Sequence, residues 1–132
     1  MGEGAEGFAI GDRVLAYART ATVQQGTYAE YTVLPDSYLA KAPEALAGAE
    51  LATIPLVALT AWQGLFEVLR LKANETLLVT AGAGGVGSFA IQFAKAKGAK
   101  VIATASPHNH QYLKQLGADA VVDYKQDAIS SH

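Results

Sequence analysis

Cysteine is absent from this 132-residue chain. That excludes disulfides and any zinc ion or iron–sulfur cluster held by thiolates, and it agrees with a reducing compartment such as the cytoplasm. An excess of one charge is missing too: ten Lys and Arg stand against twelve Asp and Glu, for a formal net charge of −2. Nothing in that balance attracts nucleic acid or an anionic membrane surface, and neither is expected as a partner. The opening residues, Met1-Gly2-Glu3-Gly4-Ala5-Glu6, lack the basic and apolar segments of a signal peptide. The longest apolar run, residues 51–59, is interrupted by Thr53 and Pro55 and reads as too short to span a bilayer. No internal repeat or low-complexity tract is visible.

What is present is half hydrophobic and 17% charged, the composition of a soluble globular chain long enough for one domain or parts of two. Residues 8–42 read as β-rich. Residues 13–17 (RVLAY) and 29–34 (AEYTVL) have strand composition, bounded by turn signals at Gly11-Asp12, Gly26 and Pro35-Asp36. From Pro43 the pattern turns helical: residues 43–52 predict a short helix, and residues 60–69 a second, with Trp62, Leu65, Phe66 and Leu69 at helical spacing. A βαβαβ pattern follows. Residues 76–80 (TLLVT), 100–104 (KVIAT) and 120–123 predict strands. Residues 86–96 and 109–116 predict helices, stopped by Gly98 and Gly117. On the first of these, Val86, Phe89, Ala90 and Phe93 share a face. The predicted class is α/β, with a small β-rich part in residues 1–50 and an α/β part in residues 51–132. Three parallel strands make a poor free-standing sheet, so both termini read as cuts rather than domain ends.

The chemistry sits in Gly82-Ala83-Gly84-Gly85-Val86-Gly87, which satisfies G-x-G-x-x-G between a predicted strand and a predicted helix. In that context the first glycine permits the tight turn, the second lets backbone approach a pyrophosphate, and the third lets helix and strand pack closely. The N–H groups opening the helix then face the phosphates. The bland alternative is a glycine-rich turn with no ligand. NAD-binding folds place an acidic residue about 20 positions further on, to hold the ribose hydroxyls. Here that region reads Thr104-Ala105-Ser106-Pro107-His108-Asn109-His110, without a carboxylate. Hydroxyl, amide and imidazole donors suit a 2′-phosphate, which an aspartate would repel. The residues therefore favour NADP(H) over NAD. Asn109 also fits a helix N-cap, and both roles are compatible. His108 and His110 read as a solvated or phosphate-facing pair rather than metal ligands.

These residues resemble the medium-chain dehydrogenase/reductase superfamily, in its zinc-free quinone oxidoreductase and enoyl reductase branch. Gly11-Asp12-Arg13-Val14 is similar to a motif of the family's GroES-like catalytic domain, and Gly26–Tyr31 to the strand after it. Leu59-Thr60-Ala61-Trp62 resembles the helix leading into the nucleotide domain, whose threonine lies near the nicotinamide. Ala81–Gly87 resembles the pyrophosphate loop, and Leu116–Asp119 with Asp123-Tyr124 the next helix–strand unit. Ser106–Asn109 resembles the NADP loop of trans-acting enoyl reductases.

The resemblance implies a partial GroES-like β domain followed by the first half of a Rossmann-type doubly wound parallel sheet. It implies Gly82, Gly84, Gly85, Val86 and Gly87 at the pyrophosphate, Ser106, Asn109 and Tyr124 at the adenosine phosphate, and Thr60 beside the nicotinamide. Thr60 could equally be a helix N-cap, and Tyr124 a half-buried aromatic at a strand end. Trp62, Phe89 and Phe93 read as core. The four-cysteine lobe of zinc-dependent members has no counterpart, and Pro55-Leu56-Val57 is apolar where a zinc ligand would fall. The implied activity is hydride transfer from NADPH to a quinone or an α,β-unsaturated carbonyl or enoyl substrate, with a homodimer as the expected assembly. The alternative is a catalytically silent nucleotide-binding or structural module.

Overall fold

The computed structural model describes residues 2, 6–19 and 26–125. The chain divides into two compact units, Met1–Leu56 and Val57–His132, with the division inside a helix.

In the first unit β1 (Val14–Ala16) pairs antiparallel with β2 (Leu39–Lys41), with Val14 opposite Lys41 and Ala16 opposite Leu39. The turn before β1 explains its sequence. Gly11 sits at φ +95°, where glycine carries no Cβ penalty. The Asp12 carboxylate accepts the Ala9 N–H at 2.9 Å and lies 3.3 Å from the Lys41 ammonium. Arg13 reaches across to donate to the carbonyls of Glu44 (3.3 Å) and Leu46 (2.8 Å). Residues 29–34 do not form the strand expected of them. They run as bends and irregular chain, with Tyr31 and Val33 89% and 81% exposed. Strand composition needs a neighbouring edge to act on, and among the described residues the partner of β1 is β2 instead.

The two helices expected on either side of Pro55 are one. Helix α1 spans Gly48–Trp62 with Pro55 inside it, and a π-helical turn over Gln63–Val68 continues it, closed by the Leu69 N–H donating to the Gly64 carbonyl at 3.0 Å. Proline costs a helix one N–H bond but does not end it when the flanking turns hold. Glu50 secures the start by accepting the Ala47 N–H at 2.8 Å, the N3 half of a capping box. Gly48–Val68 is thus 21 residues long and contains an 18-residue window at mean hydropathy 1.4, long and apolar enough to cross a membrane by length and composition, which corrects the expectation drawn from residues 51–59 alone. Ala61 and Leu65, on its second half, are buried in the core of the second unit.

That unit is a βαβαβ arrangement. The parallel sheet runs in the order β3 (Thr76–Val79), β4 (Lys100–Thr104), β5 (Ala120–Val122). Helix α2 (Gly85–Ala96) crosses from β3 to β4, and α3 (His110–Gln115) from β4 to β5. Both pack on the face that carries Leu77, Val79, Val101 and Ala103. Leu78, which points the other way, is 44% exposed. Helix α2 lays its small residues on the sheet: Gly87, Ala90, Ile91 and Ala94 are buried, whereas Val86, expected on that face, is 38% exposed. Phe89 and Phe93 lie to one side, Phe93 stacking edge-on to Trp62 at 5.6 Å. Gly98 and Gly117 end the helices at φ +85° and +105°.

The start of β5 is pinned by Asp119. It receives the Lys95 ammonium on both oxygens at 2.9 Å and the Val101 N–H at 2.7 Å. The Lys95 ammonium, and then the Val101 N–H, hold its carboxyl below the ordinary 3.8. The folded state thus favours the carboxylate. Its contribution is complete above pH 3.8 and disappears as pH falls through the lower folded-state value. Asp119→Asn is expected to cost about 1 kcal/mol or less near neutrality, since the group is half exposed, and to flatten the acid limb of thermal stability. An unchanged acid slope in the variant would refute this account.

Candidate nucleotide-binding site

The turn after β3 is built so that its glycines do two different jobs. Gly82 is buried, and a Cβ there would meet Leu113 Cδ2 at 2.9 Å and Ala103 Cβ at 3.1 Å. Gly87 is buried on the inner side of α2, where a Cβ would meet the Ala81 carbonyl oxygen at 2.6 Å and Gly82 Cα at 2.8 Å. These two let strand, turn and helix touch. Gly84, Gly85 and Val86 are exposed, although a Cβ on Gly85 would still meet Val57 Cγ1 at 2.9 Å. The first intrahelical bond of α2 runs from the Ser88 N–H to the Gly84 carbonyl at 2.9 Å, so the N–H groups of Gly85, Val86 and Gly87 open the helix without an intrahelical acceptor. Together with the helix dipole they can form an anion seat that backbone geometry supplies. That fits a pyrophosphate. Gly84, Gly85, Val86 and Gly87 line a cavity of about 620 Å³ that Thr60 also lines. Thr60 lies inside α1, which removes its reading as an N-cap.

The turn is held by a residue to which the sequence reading assigned no role. Thr104, 3% exposed at the end of β4, accepts the Ala81 N–H on its hydroxyl at 3.2 Å and the Gly82 N–H on its carbonyl at 2.9 Å. Ala81 pays for the tight turn with φ +51°, a left-handed conformation unusual outside glycine. The visible signal for Thr104 was a polar residue closing an otherwise apolar strand.

The second group of expected residues lies beyond the ends of β4 and β5. Ser106 Oγ and Tyr124 Oη face each other at 3.5 Å, longer than a strong hydroxyl–hydroxyl bond, so both are able to turn toward a common acceptor. Tyr124 is 53% exposed and Lys125 Nζ lies 5.9 Å from its ring centre. Residues 107–109 form a 3₁₀ turn, and Asn109 stands at the N-cap of α3 without a side-chain cap bond. No carboxylate occupies the loop; Asp123, which precedes Tyr124, is buried and accepts the Lys125 N–H at 3.1 Å. The two histidines separate. His108 is exposed, whereas His110 is half-buried with its Nε2 3.0 Å from the Ala105 carbonyl oxygen, which corrects its reading as one of a solvated or phosphate-facing pair. Among the described residues no three His, Cys, Asp or Glu side chains are grouped to hold a metal.

A parallel βαβαβ unit whose first turn leads, through a glycine loop, into a helix with open N-terminal N–H groups defines a Rossmann-type fold. Comparison with known proteins narrows the class. Residues 85–132 match the family model described as zinc-binding dehydrogenase. The chain is 39% identical to the chloroplast envelope quinone oxidoreductase homolog of Arabidopsis thaliana over 95% of its own length, and spans 39% of that relative. An alcohol dehydrogenase superfamily protein from Novosphingobium aromaticivorans superposes with a TM-score of 0.85 at 37% identity, over 90% of this chain and 36% of that one. Escherichia coli quinone oxidoreductase complexed with NADPH gives 0.65 at 34% identity, over 71% and 29%. A solved NAD-dependent alcohol dehydrogenase gives 0.71 at 47% identity, over 76% and 30%. The chain belongs to the medium-chain dehydrogenase/reductase superfamily, and its relatives include that superfamily's quinone oxidoreductases.

Proposed function

We propose that this chain forms the cofactor-binding part of an NADPH-dependent oxidoreductase that acts on a quinone or an α,β-unsaturated carbonyl or enoyl substrate. The observation that carries the reading is the pairing of an exposed helix N-terminus at Gly84–Val86 with a carboxylate-free loop where Ser106 and Tyr124 converge. The cofactor supplies the hydride; the protein's part is to bind, orient and exclude water. In this reading the backbone of Gly84, Gly85, Val86 and Gly87 seats the pyrophosphate. Ser106, Asn109 and Tyr124 receive the 2′-phosphate on hydroxyl and amide donors, and Thr60 directs the nicotinamide end into the apolar cavity it shares with the loop. The quinone oxidoreductase relatives support the acceptor class, and the NADPH complex of one neighbour supports the cofactor. The NAD-dependent neighbour makes the choice between cofactors the point to test.

Titrating the chain with NADPH and NADH in parallel tests it. NADPH is expected to bind at least about tenfold more tightly. Ser106→Asp should erase that preference by setting a carboxylate against the 2′-phosphate while leaving NADH binding intact. Equal affinities in the unsubstituted chain would refute the cofactor assignment. Binding without turnover of a quinone would instead assign the chain the silent nucleotide-binding role.

A further inference from the structure

The turn that carries Ser106 is held by three successive carbonyl groups. The Ser106 carbonyl accepts the Asn109 N–H at 2.9 Å, and the Pro107 carbonyl accepts the His110 N–H. Those two bonds are backbone to backbone and indifferent to sequence. The third is not. The Ala105 carbonyl oxygen lies 3.0 Å from Nε2 of the His110 side chain. A carbonyl only accepts, so Nε2 carries the proton and donates, in the neutral and the protonated ring alike. Ala105 is 5% exposed, and its own N–H donates to the Val122 carbonyl at 3.2 Å. The residue before Ser106 is therefore anchored on one side by β5, the strand that leads to Tyr124, and on the other by the first residue of α3.

We infer that His110 is a positioning residue for cofactor selectivity: its ring, by holding the Ala105 carbonyl, sets the Ser106 hydroxyl opposite Tyr124. The inference rests on the proposed function, and it assigns the 2′-phosphate preference to a side chain that does not itself touch the cofactor. Pro107 restricts the backbone of the residue before it, but it does not orient the Ala105–Ser106 peptide. With the His110 tie gone, that peptide is free to rotate, and the Ser106–Tyr124 pair loses its shared aim. A displacement of this kind is felt by the group that the pair receives and not by the pyrophosphate, which is seated on α2.

The test uses the full chain with His110→Ala and His110→Gln, whose amide nitrogen can take the place of Nε2. The probes are NADPH and NADH, together with 2′,5′-ADP and 5′-AMP to isolate the phosphate. The expected result is that His110→Ala loses about tenfold of the preference for the phosphorylated member of each pair, with NADH and 5′-AMP affinities little changed, and that His110→Gln restores most of it. An equal loss for both members of each pair, or an unchanged ratio in His110→Ala, would show the histidine to be merely structural and overturn the inference. If the unsubstituted chain has no preference for NADPH, the underlying cofactor reading fails instead, and this inference with it.

Discussion

Gly87→Ala is expected to lower the stability of the chain by about 3 kcal/mol or more, a fall of about 10 °C in melting temperature for a chain of this size. The added methyl would lie 2.6 Å from the Ala81 carbonyl oxygen and 3.0 Å or less from two backbone atoms of Gly82. Those atoms belong to the turn, not to a side chain that can swing aside. Ala81 is already held at φ +51° and Gly82 is packed against Leu113, Ala103 and Ile91. The helix must therefore lift away from β3, uncovering Ala90, Ile91 and Ala94. Alanine is the better helix former, so propensity alone would predict a gain; the close approach decides the sign. Urea or thermal unfolding reads the effect, and a variant within about 1 kcal/mol of the parent would show that the turn yields more easily than its geometry implies.

Gly84→Val is expected to do the reverse. Its backbone, at φ −77° and ψ 169°, accepts any residue, and the position is exposed. A Cβ there meets only the Ala81 carbonyl oxygen, at 3.3 Å, which needs a small adjustment. Stability should stay within about 1 kcal/mol. NADPH affinity should drop about a hundredfold, close to 2.7 kcal/mol, because an isopropyl group stands where the phosphates must approach the N–H groups of α2. Calorimetric titration on protein shown to melt normally separates the two outcomes. Retained affinity would mean that the pyrophosphate does not sit on this helix.

The α/β half was legible because its signals are local. Residues 100–104 have an apolar centre, Val101-Ile102-Ala103, lying between two glycine-terminated helices, and β4 occupies those same five residues. Gly98 and Gly117 stop helices through their own backbone freedom. The β-rich half was less legible because a strand is a relation between segments: residues 29–34 have strand composition, yet β2 forms at residues 39–41. Proline misled in a similar way. Pro55 marks a break by composition, but α1 runs through it, and Thr60 moves from a helix start to a helix interior. At the site, the exposed glycines and the missing carboxylate could be counted along the chain. The bond from His110 to the Ala105 carbonyl could not, since a histidine two positions from another gives no hint of which carbonyl its ring will meet. Tyr124 and Ser106 were named for separate reasons, and only folding brings them within 3.5 Å.

The division of labour within the glycine turn bears on how such a motif ages. Gly82 and Gly87 answer to the architecture, as does Gly85, whose Cβ would lie 2.9 Å from Val57 Cγ1, whereas Gly84 answers to whatever approaches from solvent. A lineage that abandoned its nucleotide would still be obliged to keep the first and last glycines in order to fold, and would be released at Gly84. The outer letters of the pattern are then a record of ancestry, and the inner letter a record of present use. In this chain that inner position, Gly84, remains glycine.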